Sequence, residues 1–394
     1  PELSFAVREY GCQAGINVTA SHNPKEYNGY KVYWSDGAQL PPHHADAIAK
    51  RLEEIDIFDG VKRMDFEEAV KSGLIEAMGD ETDRKFMANV TAMINDRETV
   101  AKVADTFKLV YTPFHGCGYK LVPEALTALG IKHLIPVPEQ MVIDGNFPTV
   151  VSPNPENPEG FYLAIDLAKK NDVDFILGTD PDSDRIGVLA RRNGKYIPIT
   201  GNQMGVLLLD YLCRRRSENG TMPARPVAVT TIVSTDMADA VAAHYGVELR
   251  NVLTGFKYIG EQIGLLEKAG EAGRYIFGFE ESYGYLSGSF VRDKDAVNAS
   301  LLICEMFIWY KSQGKTLADA LEALYAQYGF FEAKLLSFTF EGSAGFAHMT
   351  ELLDSLRLSP PAELAGEAVR QVIDYDRDET GLPRSNVLRF VLDG

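Results

Sequence analysis

Three aspartates, Asp180, Asp182 and Asp184, alternate along a short segment between two apolar runs. Carboxylates this close repel one another unless a cation neutralises them, and their hard oxygen atoms suit Mg²⁺. An EF-hand calcium loop would carry glycine at its sixth position and glutamate at its twelfth, where this chain has Arg185 and Arg191. The segment therefore predicts a magnesium site, with a solvent-exposed acidic turn as the alternative.

A serine, Ser21, directly follows the apolar run 15–20, which predicts a buried strand. Asn23-Pro24 indicates a turn, because proline disfavours helical backbone in the residue before it. A second turn at Asn28-Gly29 is typical of a hairpin, so Lys31 in the returning strand is predicted to lie near Ser21. A reactive hydroxyl at a strand end and ordinary turn chemistry both fit these residues.

A third polar loop carries Glu280 and Ser282 just after the apolar run 275–277. Side chains at alternating positions can face one cleft and hydrogen-bond sugar hydroxyls, although plain surface charge is the simpler alternative. The run 292–295 alternates in charge and is equally typical of a salt-bridged surface. Neither segment alone identifies a site.

The elements that must position these residues alternate between strand and helix. A strand at 108–111 leads through a loop into a helix, and the pattern returns with a strand at 227–233 and a helix at 237–245. Since ligands of open α/β sheets bind beyond the carboxyl ends of the strands, the three loops are predicted to meet in one cleft. Further strands are predicted at 331–340 and 387–394.

Composition narrows the class of protein. The chain has 394 residues, of which 45% are apolar and 24% charged, and a length of this kind favours several domains. Its net charge of −17 argues against a nucleic-acid partner, and no apolar stretch is long enough to span a membrane. The four cysteines lack metal or redox spacing, so we expect reduced thiols in a cytoplasmic protein.

The segments 19–24, 180–185 and 278–282 resemble, in this order, three hallmark loops of the α-D-phosphohexomutases, nearest to the phosphoglucomutase and phosphoglucomutase/phosphomannomutase branch. The resemblance covers nearly the whole chain and implies a multi-domain α/β architecture, with similar α/β/α modules around a central cleft. The family's glycine-rich opening segment and its final serine-glycine-threonine phosphate loop are not found, so we expect an architecture truncated at both ends. The predicted division is a partial first domain at 1–79, a metal-loop domain at 80–195, a sugar-loop domain at 196–328 and a partial fourth domain at 329–394.

The resemblance also implies a role for each candidate residue. Ser21 would be the phosphoserine and would hold Mg²⁺ together with the three aspartates, while Glu280 and Ser282 would bind sugar hydroxyls. The remaining positions that match cleft residues of the family are His22, Lys31, Arg185, Lys257 and Lys294. Lys31 is predicted to carry the proton, because a lysine among cations can have a lowered pKa, and His22 is the alternative.

The implied activity is that of an isomerase. It interconverts glucose 1-phosphate and glucose 6-phosphate through a phosphoserine and a 1,6-bisphosphate, with glucose 1,6-bisphosphate as activator. Mannose or pentose phosphates are alternative substrates within the same family. A serine phosphatase or esterase would want a G-x-S-x-G elbow or an acid near the serine, and neither is evident; a non-catalytic metal-binding protein is the alternative from another class.

Overall fold

The structure, a computed structural model, describes residues 1–377 and 379–393. Contacts divide the chain into two compact units, the first from Pro1 to Phe331 and the second beginning at Glu332. None of the helices in the described ranges is long and apolar enough to cross a bilayer.

Strands and helices alternate along most of the first unit, as predicted for α/β modules. Its helices are α1 (Glu2–Glu9), α2 (Pro42–Glu53), α3 (Phe66–Lys71), α4 (Asp80–Ala92), α5 (Arg97–Val103), α6 (Gly118–Leu129), α7 (Tyr162–Asn171), α8 (Gly201–Glu218), α9 (Met237–Tyr245), α10 (Phe256–Lys268), α11 (Ala296–Ser312) and α12 (Leu317–Tyr328). Its strands are β1 (Ala14–Val18), β2 (Tyr30–Trp34), β3 (Lys108–Thr112), β4 (His133–Pro136), β5 (Phe175–Thr179), β6 (Ile186–Arg192), β7 (Lys195–Ile199), β8 (Val227–Thr231), β9 (Glu248–Val252), β10 (Tyr275–Glu280) and β11 (Gly284–Leu286).

Two mixed sheets form the framework of this unit. One has the strand order β4-β3-β5-β6-β7 and the other the order β11-β10-β8-β9. In each sheet the strand that leads into a polar loop, β5 or β10, runs parallel to a neighbour and is buried along its whole length. Strands covered on both faces are apolar throughout rather than alternating, which is why these runs stand out in the sequence.

Helix α11 packs against α4, α5, α6 and α8, and nearly all of its side chains are buried. A helix that is apolar on every side belongs inside a core. The ring of its Phe307 stacks on that of Phe175 in β5, with ring centroids 4.3 Å apart. The ring of Phe107 lies 5.6 Å from that of Phe307. The helix therefore fixes the first sheet beside the second, whose strand β11 it also contacts.

The N-terminal hairpin forms as predicted, with β1 antiparallel to β2 and Asn17 opposite Lys31. The prediction that its first strand is buried is wrong, since Ile16 and Val18 are 63% and 79% exposed. The hairpin is a two-stranded ribbon, and among the described residues no further strand or helix covers the face that carries Ile16 and Val18. The apolar run by itself could not reveal that this face stays uncovered.

The second unit comprises α13 (Gly342–Leu358) and a three-stranded antiparallel sheet of β12 (Glu363–Leu364), β13 (Glu367–Asp374) and β14 (Leu388–Leu392). The last predicted strand is confirmed within β14, and its final residue, Gly394, lies outside the described residues. The strand predicted at 331–340 is wrong, because this run forms no regular element and pairs with no strand in the described part of the chain. Alternating apolar residues favour a strand only where a neighbouring strand supplies hydrogen bonds.

Candidate active site

The loop between β5 and β6 gathers the three aspartates. Asp180, Asp182 and Asp184 are only 0%, 8% and 3% exposed, so the alternative of a solvent-exposed acidic turn is wrong. One carboxylate oxygen from each lies within 4.8 Å of the others. The antiparallel pairing of β5 with β6 brings the ends of this loop together, so three ligands spaced by two residues point into one small volume.

The aspartate loop is held in a tight turn by its first carboxylate. Asp180 Oδ1 accepts hydrogen bonds from the backbone N–H groups of Asp184 at 3.0 Å and Arg185 at 2.9 Å. Ser183, which lies between Asp180 and Asp184 in the loop, has a φ of 55°, in the left-handed region that L-residues seldom adopt. The loop is thus shaped by its own carboxylate rather than by glycine.

Two oxygen atoms of this cluster, Asp180 Oδ2 and Asp184 Oδ1, are buried without a hydrogen-bond partner among the described residues. Burial raises the pKa of Asp180 well above its usual range, and the neighbouring Asp184 and Asp182 carboxylates add to the rise. A divalent cation bound by hard oxygen ligands would satisfy both oxygens and offset the repulsion. The residues present therefore fit Mg²⁺.

Ser21 lies beside this cluster, as the shared-cleft prediction requires. Its Oγ is 3.4 Å from Asp182 Oδ1, 3.3 Å from Lys31 Nζ and 3.3 Å from His22 Nδ1. Its own backbone N–H donates to Thr19 Oγ1 at 2.8 Å. The predicted return of Lys31 to Ser21 along the hairpin is confirmed.

The reason given for a lowered pKa of Lys31 is wrong. Its Nζ lies 2.6 Å from a carboxylate oxygen of Asp182 and 2.6 Å from one of Asp184, so its nearest charged partners are anions. Burial alone would lower the pKa of Lys31, but these two carboxylates outweigh it and raise the pKa. For His22, burial lowers the pKa to about 4, with Arg185 adding to the effect, so its imidazole is neutral at pH 7.

Lys294, in the segment before α11, extends the cluster, and Glu280 of the second sheet lies near Lys294. Glu280, at the end of β10, is 3% exposed and accepts a hydrogen bond from the N–H of Gly255 at 2.8 Å. Burial raises the pKa of its carboxyl group. Lys294 Nζ lies 3.1 Å from Asp184 Oδ2. The backbone also joins the two loops, since the N–H of Ile186 donates a hydrogen bond to Tyr283 O at 3.1 Å. The sugar-loop and metal-loop predictions thus describe adjoining segments.

Like Glu280, the predicted residues Lys257 and Ser282 have no contact with the aspartates among the described residues. Lys257 lies in the first turn of α10, with its Nζ 5.0 Å from the ring centre of Tyr258. Ser282 is half-buried in the turn between β10 and β11. The functional roles of both remain predictions.

Three family models match the chain, and they describe alpha/beta/alpha domains I, II and III of phosphoglucomutase/phosphomannomutase, at residues 1–57, 84–194 and 200–328. Phosphoglucomutases of Staphylococcus aureus strains MRSA252 and USA300 are each 37% identical over 406 residues, an alignment that covers 100% of this chain and 71% of each relative. The chain belongs to the phosphoglucomutase/phosphomannomutase family. It is therefore a phosphohexomutase, which is an isomerase.

Solved structures of phosphohexomutases share the fold of this family member. A putative phosphomannomutase from Thermus thermophilus superposes with a TM-score of 0.71 at 22% identity, covering 100% of this chain and 74% of that one. The phosphoglucomutase pp63/parafusin from Paramecium gives a TM-score of 0.66 at 20% identity, covering 99% of this chain and 71% of its own. These likenesses confirm the predicted multi-domain α/β fold class.

Two charged residues of this phosphohexomutase chain escape sequence reasoning. Asp293 is 1% exposed and accepts hydrogen bonds from Tyr33 Oη at 2.8 Å and Gln39 Nε2 at 2.9 Å. Glu156 pairs with Arg185, Oε1 to Nη1, at 2.9 Å. The run 292–295 is buried and is not a salt-bridged surface, and the largely apolar helix that follows it was the available signal.

Proposed function

We propose that the chain is a phosphoglucomutase that interconverts glucose 1-phosphate and glucose 6-phosphate through a phosphoserine at Ser21 and a 1,6-bisphosphate. The observation that supports this most is the contact of Ser21 Oγ with Asp182 and Lys31, residues from another loop and another strand. A hydroxyl beside a cluster of carboxylates and cations has the environment that phosphoryl transfer needs. The phosphoglucomutases of Staphylococcus aureus, 37% identical to the chain, point to the same substrate.

For the metal, we propose that Asp180, Asp182 and Asp184 hold Mg²⁺ together with an oxygen of phosphorylated Ser21. Bound there, the cation would neutralise charge on the phosphoryl oxygens in the transition state. The carboxylates contribute their fixed orientation, since the turn of the loop and the antiparallel strands on either side leave them little freedom.

The cations of the site would lie around the phosphoryl group. Lys31 and Lys294 both contact Asp184, and Arg185 follows it directly in the chain. We propose Lys31 and His22 as the proton carriers, because each has a nitrogen 3.3 Å from Ser21 Oγ. Because its pKa is raised, Lys31 is protonated and can only give a proton, to a leaving oxygen, whereas the neutral imidazole of His22 can take the proton of the accepting sugar hydroxyl.

Substrate recognition is proposed for the loop after β10. Glu280 and Ser282 would bind sugar hydroxyls, while Arg185, Lys257 and Lys294 would bind the phosphate groups. Glucose 1,6-bisphosphate would act as activator by returning a phosphoryl group to Ser21 when an intermediate escapes.

A coupled assay tests the proposal. The protein is supplied with Mg²⁺, a trace of glucose 1,6-bisphosphate and glucose 1-phosphate, and glucose 6-phosphate is measured with its dehydrogenase. We expect turnover, together with one added phosphoryl group in the intact mass of the protein. Faster turnover of mannose or pentose 1-phosphate would reassign the substrate, whereas no phosphoryl group on Ser21 would favour a non-catalytic metal-binding protein.

A further inference from the structure

The loop 151–160 lies against the candidate active site but has no role in the function proposed above. Pro153 and Pro155 are buried, and the Asn154 side chain accepts a hydrogen bond from the N–H of Glu156 at 3.0 Å. A Cβ added to Gly187 of β6 would lie 2.3 Å from Pro155 O, so the loop rests directly on the strand that follows the aspartates. The loop is therefore a fixed support for Glu156.

Glu156 holds one end of the guanidinium of Arg185. The pair is 2.9 Å apart, between Glu156 Oε1 and Arg185 Nη1, and both side chains are mostly buried at 24% and 18% exposure. Nη1 is the nitrogen on the same side as Cδ, so this contact leaves the opposite edge, Nε with Nη2, available for a two-pronged bond to an oxyanion. Arg185 Nε is buried and has no hydrogen-bond partner among the described residues.

The same loop also reaches the nucleophile's neighbour. Ser152 Oγ donates a hydrogen bond to the carbonyl oxygen of His22 at 3.1 Å. One short segment thus contacts both the serine loop and the arginine that follows the aspartates. The far end of the loop is held by the buried Gln140, whose side chain is 0% exposed. Its Nε2 donates a hydrogen bond to Gly160 O at 3.4 Å.

We propose that Glu156 is a positioning residue, which orients Arg185 so that its Nε–Nη2 edge binds a phosphate group. The inference rests on the proposed function, because the phosphate meant is that of the sugar phosphate or of Ser21. Glu156 touches neither group and acts only through Arg185.

The sign of the effect makes the inference testable. Glu156→Gln removes a negative charge from the surroundings of an anion site, so charge alone would strengthen phosphate binding. Loss of the anchor instead lets the arginine side chain leave its productive rotamer and weakens binding. A weaker affinity of the variant for phosphate therefore indicates that Glu156 positions Arg185. A stronger affinity indicates that Glu156 only repels the phosphate.

The experiment measures binding of inorganic phosphate by calorimetry to the full chain, the Glu156→Gln and Arg185→Gln variants and the double variant. We expect Glu156→Gln to bind phosphate about five- to tenfold more weakly, with Mg²⁺ affinity unchanged, and to have no further effect once Arg185 is replaced. Glu159→Gln is the matched control, since it removes the same charge from an exposed position of the same loop. Its phosphate affinity should stay equal to that of the wild type or rise slightly.

Three outcomes overturn the inference: additive effects of the two substitutions, unchanged or tighter phosphate binding in Glu156→Gln, or no phosphate binding to the wild type. The coupled mutase assay runs in parallel on the wild type. Absence of turnover there contradicts the proposed function, while the phosphate cycle still decides the role of Glu156.

Discussion

Each of the three polar loops carries a non-glycine residue in left-handed backbone. Ser21, Ser183 and Tyr283 have φ angles of 56°, 55° and 66°. Such conformations cost free energy and persist only where the surroundings hold them, which is why they concentrate at functional sites. Of the ten non-glycine residues with positive φ in the described part of the chain, three therefore fall in the serine, aspartate and glutamate loops.

Replacement of the proposed nucleophile should abolish activity and spare the fold. Ser21→Ala removes the only atom that receives the phosphoryl group, so turnover should fall by about 10⁴-fold or more. The half-buried side chain loses one oxygen, and the melting temperature should change by no more than about 2 °C. Intact mass after incubation with glucose 1,6-bisphosphate, together with a thermal melt, checks both.

The control for this variant is Ser217→Ala, at an exposed position of α8, which should keep both turnover and phosphorylation. A phosphoryl group of normal stoichiometry on the Ser21→Ala protein would contradict the assignment.

The second prediction concerns the metal ligands. Asp182→Asn keeps the size of the side chain but removes one of three clustered charges, so Mg²⁺ affinity should fall by about tenfold or more. Turnover at limiting Mg²⁺ should fall with it and recover partly at high Mg²⁺. Calorimetric titration with MgCl₂ measures the affinity directly.

Asp172→Asn supplies the comparison, because that carboxylate is 82% exposed and pairs with Arg191 on the surface. Equal Mg²⁺ affinity in the Asp182→Asn and Asp172→Asn proteins would show that the cluster is a structural turn only.

At the scale of elements, sequence reasoning succeeds where an apolar strand runs directly into polar residues. The strands before Asp180 and Glu280 are buried on both faces, so their composition alone marks them. It fails for the run 331–340, because whether such a run becomes a strand depends on a partner strand that periodicity does not reveal. The fourfold division into 1–79, 80–195, 196–328 and 329–394 stays a prediction.

Helix α6 begins so close to the aspartate loop that its first residue must be glycine. A Cβ on Gly118 would lie 2.6 Å from Tyr111 Oη, 2.7 Å from Thr179 Oγ1 and 3.1 Å from Ser183 Oγ. Gly118→Ala should therefore push the helix from the loop, destabilise the protein by about 1–3 kcal/mol and weaken Mg²⁺ binding. Thermal melts and the MgCl₂ titration give the two readouts.

Gly264→Ala is the matched substitution within α10, where nothing lies within 4 Å of the added Cβ. It should stabilise the protein by about 0.5–1 kcal/mol, because alanine restricts the unfolded chain and favours a helix. The interpretation of close helix approach fails if the two variants shift the melting temperature alike.

At the scale of the whole molecule, the residues that sequence reasoning missed are those whose partners are distant in the chain. Asp293 binds Tyr33 across 260 positions, and Glu156 binds Arg185 across 29. No local motif marks either residue, because each contacts its partner only once the chain has folded. Lys31 also has distant partners, Asp182 and Asp184, but it was found in advance because its own hairpin returns it to Ser21.

The buried carboxyl group that begins α11 should make stability depend on pH. Asp295 is 0% exposed, and its Oδ1 accepts a hydrogen bond from the N–H of Asn298 at 2.9 Å. Burial raises its pKa from 3.8 to about 6, so in this pH window the folded protein keeps a proton that the unfolded chain releases. This group's contribution to stability is therefore largest below pH 4 and is lost as pH rises to about 6.

Asp295→Asn isolates the effect, because asparagine can also cap the helix but does not titrate. The stability of the variant minus that of the wild type should rise by up to about 3 kcal/mol between pH 4 and 7 and then level off. Urea unfolding of both proteins across this range measures the difference. Parallel pH curves would show that Asp295 is charged in the folded protein at all these pH values.

The separation of Tyr33 and Asp293 along the chain also sets how long after its own synthesis Tyr33 can first pair with Asp293. Their hydrogen bond joins positions 260 residues apart, and a ribosome adds about 5–20 residues per second. Roughly 13–50 s therefore pass between the emergence of the ribbon that carries Ser21 and the emergence of its buried partner. During that interval the newly made hairpin lacks the hydrogen bond that joins its second strand to the buried segment before α11.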